Sequence, residues 1–377
     1  MDFDTSDMKI KIIGIGGGGC NAVKRLSKRK EQFGAIDFYA ANTDAMALSD
    51  TIEEGLDVKA IKLGEKSTKG NGAGAKPEVG RIATEESKAE IEAAIGDAKL
   101  LFITAGMGGG TGTGGAPVIA KIASEKQILT IGVVTLPFDY EGPEKYHVAS
   151  AGIAEMRKYV DIMIVVSNQK AFDSCGSSAP MHNIFEKADE VLVNSIKGIT
   201  DIIVNHSLVN LDFADISTVI RGKKTAHIGL GCATGENRMF KALRMASNNE
   251  LLNTTIEGAK NIIINIVADY ELSGEEVNKA LSLIPKVVAE DARIIHGIGF
   301  DKNLRQEVHV TIIATGLADD EYEEDEEAKE FERHDPDELI VGFNAREAEK
   351  NENAEKQPSE QSGGAIENLL KKLQDRQ

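Results

Sequence analysis

Three glycine-dense segments carry the chemistry most readily read from this chain. They are, first, Gly14-Ile15-Gly16-Gly17-Gly18-Gly19-Cys20-Asn21, second, Gly106-Met107-Gly108-Gly109-Gly110-Thr111-Gly112-Thr113-Gly114-Gly115, and third, Gly70-Asn71-Gly72-Ala73-Gly74-Ala75. Glycine lets backbone amides approach a polyphosphate without Cβ interference, and a helix that starts at such a turn adds unpaired N–H groups and the positive end of its dipole. Each loop taken singly is more simply a tight turn. Three of them, each ahead of a helical pattern, point to one anion cradled from more than one side. No Walker sequence G-x-x-x-x-G-K-[ST] occurs, so the phosphates are expected to rest on backbone amides, with Mg²⁺ held through phosphate oxygens and water rather than by protein ligands. Gly14, Gly16 and Gly19 also satisfy the G-x-G-x-x-G spacing of dinucleotide enzymes. That alternative asks for an acid closing the second strand, where the chain offers Asp44 after Ala41-Asn42-Thr43, and it leaves the second glycine loop idle.

The elements that must position these loops follow from periodicity. From Lys9 the chain reads strand (KIKIIGI), glycine turn, helix (NAVKRLSKR) and strand (AIDFYAANT), the opening of a parallel α/β sheet. A helix from Pro77 to Ile95, the strand KLLFITA, the second glycine turn and a helix beginning near Pro117 come next. The strand ILTIGVVTL, a helix near 144–158 and the strand DIMIVVS complete the unit. Such near-continuous apolar runs predict strands covered on both faces. Helical spacing of Ile184, Phe185, Ala188, Val191, Leu192, Ser195, Ile196 and Ile199 predicts one long helix from about Met181 to Val204, closed by the polar turn Asn205-His206-Ser207. A second α/β unit is expected from ADISTVIR, KTAHIGLGCAT, a helix at 236–248, NIIINIVA, a helix at 274–289, ARIIHGIGF and EVHVTIIATG. The expected organisation is a Rossmann-like α/β domain over 9–180, a central helix over 181–207 and a smaller α/β domain over 208–317.

With 377 residues, 41% of them apolar, the chain can bury cores for two ordinary domains. The formal charge of −18 disfavours nucleic-acid binding, which needs clustered Lys and Arg. Most of that charge is local, since about 18 acids and 5 bases fall between Ala318 and Ser362. Residues 318–362 have too little to bury and read as a disordered acidic linker. In 363–377, Ile366, Leu369, Leu370 and Leu373 share a helical stripe beside Lys371, Lys372 and Arg376, which suggests a segment that orders on a partner. The acidic lead-in MDFDTSDMKIKIIG lacks the basic start of a secretory signal, and no apolar run approaches bilayer length, so a cytoplasmic protein without membrane insertion is expected. Cys20, Cys175 and Cys232 stand far apart in no metal-ligand spacing and read as reduced thiols.

GIGGGGCNAV, ANTDAMAL, KGNGAGAKPEVGR, FITAGMGGGTGTGGAPVIA, VVTLPFDYEG and NLDFADISTVI resemble FtsZ in order and spacing, from about Lys9 to Leu317, and GGGTGTG corresponds to the tubulin/FtsZ signature. The resemblance implies a GTPase that polymerises head to tail at the mid-cell division site and binds GTP or GDP with Mg²⁺. It implies phosphate contacts from Gly17, Gly18, Gly19, Cys20 and Asn21, and from Gly110, Thr111 and Gly112, with Asn42, Ala73 and Gly74 completing the cradle. Glu141 would hold the ribose beside Lys145, which replaces the family's usual Arg and removes a planar donor. Asn168 and Asp189 would read guanine; an Asp accepts from the guanine N1–H and N2–H₂, although read alone Asp189 is a solvated helix position. Asn210, Asp212 and Asp215 match the loop inserted into the neighbouring subunit's site, where they would orient the attacking water. Read alone, Asp212 and Asp215 are a helix cap and a first-turn acid. The chain departs from the family at Cys20 for a fifth glycine, at Asn205-His206-Ser207-Leu208 for Arg-Pro-Gly-Leu, and in its tail peptide, which keeps only the aliphatic stripe and basic neighbours through which 363–377 is expected to meet division or membrane-tethering partners. A divergent paralogue acting in cell shape is the alternative within the fold.

Overall fold

Six short apolar runs in the first half of the chain become six parallel strands, because βαβ crossovers bury both of their faces. The computed structural model describes residues 9–317 except 34, 53–54, 177–178, 205–212, 249–250, 253 and 303. The expected turn at Asn205-His206-Ser207, the linker and the tail segment lie outside the described residues. The chain runs β1 (Ile10–Ile15), α1 (Gly16–Ser27), β2 (Ile36–Asn42), α2 (Ala45–Thr51), β3 (Val58–Lys62), α3 (Pro77–Glu86), α4 (Lys88–Ile95), β4 (Leu100–Gly106), α5 (Thr111–Glu125), β5 (Leu129–Leu136), α6 (Pro143–Arg157) and β6 (Ile162–Ser167). It continues through α7 (Asn168–Cys175), α8 (Met181–Val204), α9 (Phe213–Ile220), β7 (Lys224–Thr234), α10 (Arg238–Ser247), β8 (Asn261–Ala268), α11 (Gly274–Leu281), β9 (Arg293–Phe300) and β10 (Glu307–Thr315).

The sheet order is β3-β2-β1-β4-β5-β6-β7-β10-β8-β9. Alternate side chains sort into two cores. Ile12, Phe38, Phe102 and Ile131 pack with Val23 and Leu26 of α1 and with Ile184, Val191 and Leu192 of α8. Ile13, Leu101 and Ile103 pack on the other face with Ile91, Ile119, Ala120 and Met156. The strand order reverses between β1 and β4, and at such a switch point a crevice opens at the carboxyl ends of the strands. The first and second glycine segments follow β1 and β4, so both open there.

β7 meets β6 only at Ile162↔Lys224 and Met163↔Thr225, then pairs antiparallel with β10 from Glu307↔Thr234 to Thr315↔Ala226. β10 also pairs antiparallel with β8, and β8 parallel with β9. The long α8 packs on both β6 and β7. At one end of this half, Arg238 and Asp269 form a two-pronged ion pair at 3.0 Å, and the Asp269 carboxylate also accepts from the Gln306 amide at 2.6 Å. Arg238 holds the Asp269 carboxyl below its ordinary range. Its stabilisation is therefore present above the unfolded-state carboxylate pKa of about 4 and is lost as pH falls through the folded value. Asp269→Ala is expected to cost about 2–3 kcal/mol in urea unfolding at pH 7, less than a fully enclosed pair because the carboxylate keeps a solvent edge, and the deficit should shrink toward pH 3.

Several boundaries differ from the periodicity. The helix expected over 77–95 breaks at Ser87, whose hydroxyl accepts from the Gly64 amide at 3.0 Å. The helix expected over 274–289 stops at Leu281, and a 3-10 turn over Ile284–Lys286 follows because Pro285 lacks an amide and disfavours helical backbone before it. α2, β3 and α7 were too short to show a period. The largest shift concerns the glycine runs themselves: α1 begins at Gly16 rather than Asn21, and α5 at Thr111 rather than Pro117, which lies inside the helix. A Cβ on Gly114 would lie 1.9 Å from the Pro77 carbonyl, and one on Gly115 would lie 2.6 Å from the Thr84 hydroxyl. Those two glycines serve close packing of α5 on α3, and the loop proper ends before them.

Candidate nucleotide site

A cleft of about 380 Å³ opens at the switch point, within the range of small-molecule sites. Its floor is made by two helix starts. Gly16, Gly17 and Gly18 of α1 and Gly109, Gly110, Thr111 and Gly112 at the start of α5 all line it. Neither helix receives a side-chain cap at its N-cap residue, Ile15 or Gly110, and neither carries an acid in its first turn. Uncapped amides of two helices thus converge without competing negative charge, an arrangement suited to a polyphosphate. A Cβ on Gly17 or Gly109 would meet no protein atom within 4 Å. Both face open space, and that space is where an anion fits. The Thr111 hydroxyl is 2.6 Å from that of Thr43, which steadies the start of α5 against the end of β2.

The wall is built by α1, α7 and α8. Asn21, Arg25, Asn168, Phe185, Ala188, Asp189 and Leu192 line it. The spacing of 185, 188–189 and 192 is one helical face, as is 21 with 25. Asp189 pairs with Arg25, and burial pushes its carboxyl above the ordinary range while Arg25 pulls it back. Asn168 is 8% exposed, and its side-chain oxygen is buried with no hydrogen-bond partner among the described residues. An orphaned buried acceptor and a partly buried carboxylate lining the same cleft fit the N–H edge of a purine, and Phe185 offers an aromatic face for its ring. Phe185 is itself held edge-on by Phe138 at 5.6 Å, and Phe138 stacks on Tyr140 at 5.1 Å.

Toward the mouth, Glu141 and Lys145 form an i,i+4 ion pair. Glu141 also accepts from the Phe138 amide at 2.9 Å, closing the turn that carries Pro137 into the lining. Among the described residues no carboxylate lining the cleft is without an ion-pair partner, since Glu141 has Lys145 and Asp189 has Arg25. A divalent cation accompanying a polyphosphate here would be held by phosphate oxygens and water, which suits Mg²⁺.

Of the residues singled out from sequence, Gly17, Gly18, Asn21, Gly110, Thr111, Gly112, Glu141, Lys145, Asn168 and Asp189 line the cleft together. Gly19 does not; a Cβ there would lie 2.4 Å from the Thr104 carbonyl, so this glycine lets α1 approach β4. Cys20 turns into the core at 1% exposure, with Sγ 3.5 Å from the Ala41 carbonyl, and burial pushes its thiol up to about 12. Any contact to a ligand from Cys20 would come from its backbone. Asn42 is 3% exposed and its side chain accepts from the Asp44 amide at 3.3 Å. Ala73 and Gly74 lie outside the lining; the Ala73 methyl packs behind Gly110, 2.8 Å from where a Cβ would stand, so the third loop braces the second. Asp44 caps α2, accepting from the Met46 and Ala47 amides at 2.9 and 3.0 Å, and is taken from the ribose role that the dinucleotide alternative needed. Asn210 and Asp212 lie outside the described residues. Asp215 stands in the first turn of α9, 3.9 Å from Arg293, on a helix that packs against β8 and β10 and contributes nothing to the cleft lining. Arg25, Pro137, Thr135 and Phe185 line the cleft without having been singled out for it. Arg25 and Phe185 were findable, each lying four residues from a chosen position on its helix.

Strand order, switch-point cleft and paired glycine helix starts define an α/β protein of the nucleotide-binding class, with backbone amides rather than a lysine at the two helix starts. Residues 9–176 match the GTPase domain of the Tubulin/FtsZ family, and residues 224–318 match the C-terminal domain of the FtsZ family. A solved FtsZ dimer from M. jannaschii is 38% identical, with 82% of this chain and 88% of that chain covered at a TM-score of 0.71. A GTPgS-bound protofilament of CetZ2 from Haloferax volcanii shares the fold at 21% identity, covering 86% and 98% at a TM-score of 0.72. A GDP-bound CetZ1 monomer from the same organism matches at 22% identity, 86% and 97% coverage and a TM-score of 0.71. The chain belongs to the FtsZ family of tubulin-like GTPases. Among the described residues no helix is long and apolar enough to cross a membrane.

Proposed function

We propose that the chain assembles head to tail into filaments whose GTP is cut at each junction, one subunit supplying the pocket and the next supplying Asn210, Asp212 and Asp215. The observation that carries this reading is the division of acids. Both carboxylates in the cleft are bound to their own cations, while Asp215 sits on a helix that never reaches its own chain's cleft. A pocket with phosphate-binding amides and, among the described residues, no uncommitted carboxylate binds a triphosphate well and activates water poorly. Within the pocket, Gly17, Gly18, Gly110, Thr111 and Gly112 bind phosphate, Glu141 with Lys145 faces the sugar, and Asn168 with Asp189 reads guanine above Phe185. When bound, Mg²⁺ offsets the charge of the phosphates. Across the junction, Asp212 and Asp215 orient the water, and Asn210 positions them. Loss of the γ-phosphate removes an anion bridging two subunits and weakens their contact.

In this reading residues 9–180 form the nucleotide domain and 208–317 the domain that presents the acids, with α8 as the rod between them. The filament acts in the cytoplasm at the mid-cell division plane, and residues 363–377 recruit division or membrane-tethering proteins. The test is phosphate release from GTP with Mg²⁺ across protein concentrations, paired with sedimentation. Specific activity should be near zero below a threshold, rise above it, and follow the sedimenting fraction. A dilute monomer with full specific activity refutes the shared site.

A further inference from the structure

Away from the nucleotide cleft, the pairing of β7 with β10 brings together three side chains that the sequence keeps apart. His309 lies directly opposite Cys232 in the antiparallel register, and Glu307 stands two residues before His309 on the same face of β10. One ligand atom of each, Cys232 Sγ, a His309 ring nitrogen and a Glu307 carboxylate oxygen, lies within 4.8 Å of the others. All three residues are partly exposed. The face can be identified. Gly229 and Gly231 of β7 turn toward α10, where a Cβ would strike the Ala246 and Ala242 carbonyls, so Cys232 points the other way. Thr311, on the His309 face of β10, meets α8 at Gly198. The trio therefore sits on the α8 side of the sheet, at the end of β7 remote from β6.

His309 Nε2 is 3.1 Å from Glu307 Oε1, yet this nitrogen is buried and makes no hydrogen bond among the described residues. A nitrogen lone pair enclosed against a carboxylate oxygen is poorly placed unless a cation lies between them or the ring carries a proton. Thiolate, imidazole and carboxylate together are a zinc-type donor set, and a hard ion such as Mg²⁺ would avoid the sulfur. In a tetrahedral site with bonds of about 2.0–2.3 Å, ligand atoms stand about 3.3–3.8 Å apart, so small side-chain rotations close this trio. The scaffold is firm: β10 is paired on both sides, and Asp269 clamps the Gln306 amide one residue before Glu307. Ligands on paired strands lose little freedom when a metal arrives.

We propose that Cys232, Glu307 and His309 form a zinc(II)-class site that ties β7 to β10, with a fourth position open to water, separate from the Mg²⁺ that accompanies nucleotide. The test uses the full, untagged chain stripped with chelator under reducing conditions and titrated with Co²⁺, then Zn²⁺, in the presence of Mg²⁺. One equivalent of Co²⁺ should bind with a thiolate-to-metal charge-transfer band, and Zn²⁺ should displace it and raise the unfolding temperature. Cys232→Ser should abolish the band, and Cys232→Ser and His309→Gln should each lower Zn²⁺ affinity by about 100-fold or more, beyond the usual loss for an outer-shell partner. Glu307→Gln should weaken binding while leaving the sulfur band. Cys175→Ser should change nothing. Unfolding of the metal-free variants, compared with metal-free wild type, separates lost binding from lost fold, and His309→Gln decides the matter should Cys232→Ser fold poorly. The proposal is overturned if no band forms, if the band survives Cys232→Ser, or if wild type and variants take up Zn²⁺ alike, in which case the contact is a plain His309–Glu307 ion pair.

Discussion

Asp212→Ala and Asp215→Ala are each expected to lower steady-state GTP turnover by about 10²–10³-fold while GTP binding to the monomer and sedimentation with GTP persist. The expectation rests on where Asp215 stands: on α9, against β8 and β10, with the cleft lined by other elements. A carboxylate that never meets its own chain's phosphates has no reason to affect nucleotide affinity. A competing role exists, because an acid in a helix's first turn stabilises it by about 0.3–1 kcal/mol through the dipole. Under that role alone the Asp215 variant would lose a little stability and keep its turnover, an outcome that would sink the shared site. Mixing sharpens the test. Asp215→Ala keeps a pocket and lacks an acid, whereas a pocket-blocked variant keeps its acids. In an equal mixture about one head-to-tail junction in four joins a good pocket to a good acid, so activity should reappear although each protein alone is nearly inactive.

The pocket-blocked variant is Gly17→Val, and its contrast with Gly114→Val gives the second large effect. Nothing lies within 4 Å of a Cβ at Gly17, which projects into the space assigned to phosphate. The apo protein should keep its unfolding temperature within about 1 °C, while GTP affinity falls by about 100-fold or more as the side chain displaces amide–phosphate contacts. At Gly114 the same substitution drives a Cβ to 1.9 Å from the Pro77 carbonyl, in the packed seam between α5 and α3. Backbone cannot swing aside as a side chain can, so a cost of about 3 kcal/mol or more in unfolding free energy is expected, with affinity per folded molecule little changed. Calorimetric melting with nucleotide titration of both variants checks the pair. Equal loss of stability at the two positions would contradict the division drawn between cradle glycines and packing glycines.

That division shows how far sequence reaches. Glycine at 17 and glycine at 114 are the same letter in similar runs, and local pattern assigned both to one kind of loop. What separates them is the identity of the atom opposite, empty cleft or the carbonyl of α3, and α3 begins more than thirty residues upstream of Gly114. Cys20 and Gly19 are a parallel case: their place in the motif was legible, while their turn into the core depended on β4 and on the Ala41 carbonyl.

By itself the sequence determined the alternation of strand and helix, the long α8, the presence of a helix after β1 and after β4, and the family, because these depend on period, composition and contiguous motifs. Tertiary structure alone decided that Arg25 neutralises Asp189, that the third glycine loop braces the second, that Asp44 caps a helix, and that Cys232 faces His309. Each of those depends on strand order and register across the sheet, and burial, charge pairing and ligand geometry are set by what lies across space, which neighbours along the chain do not specify.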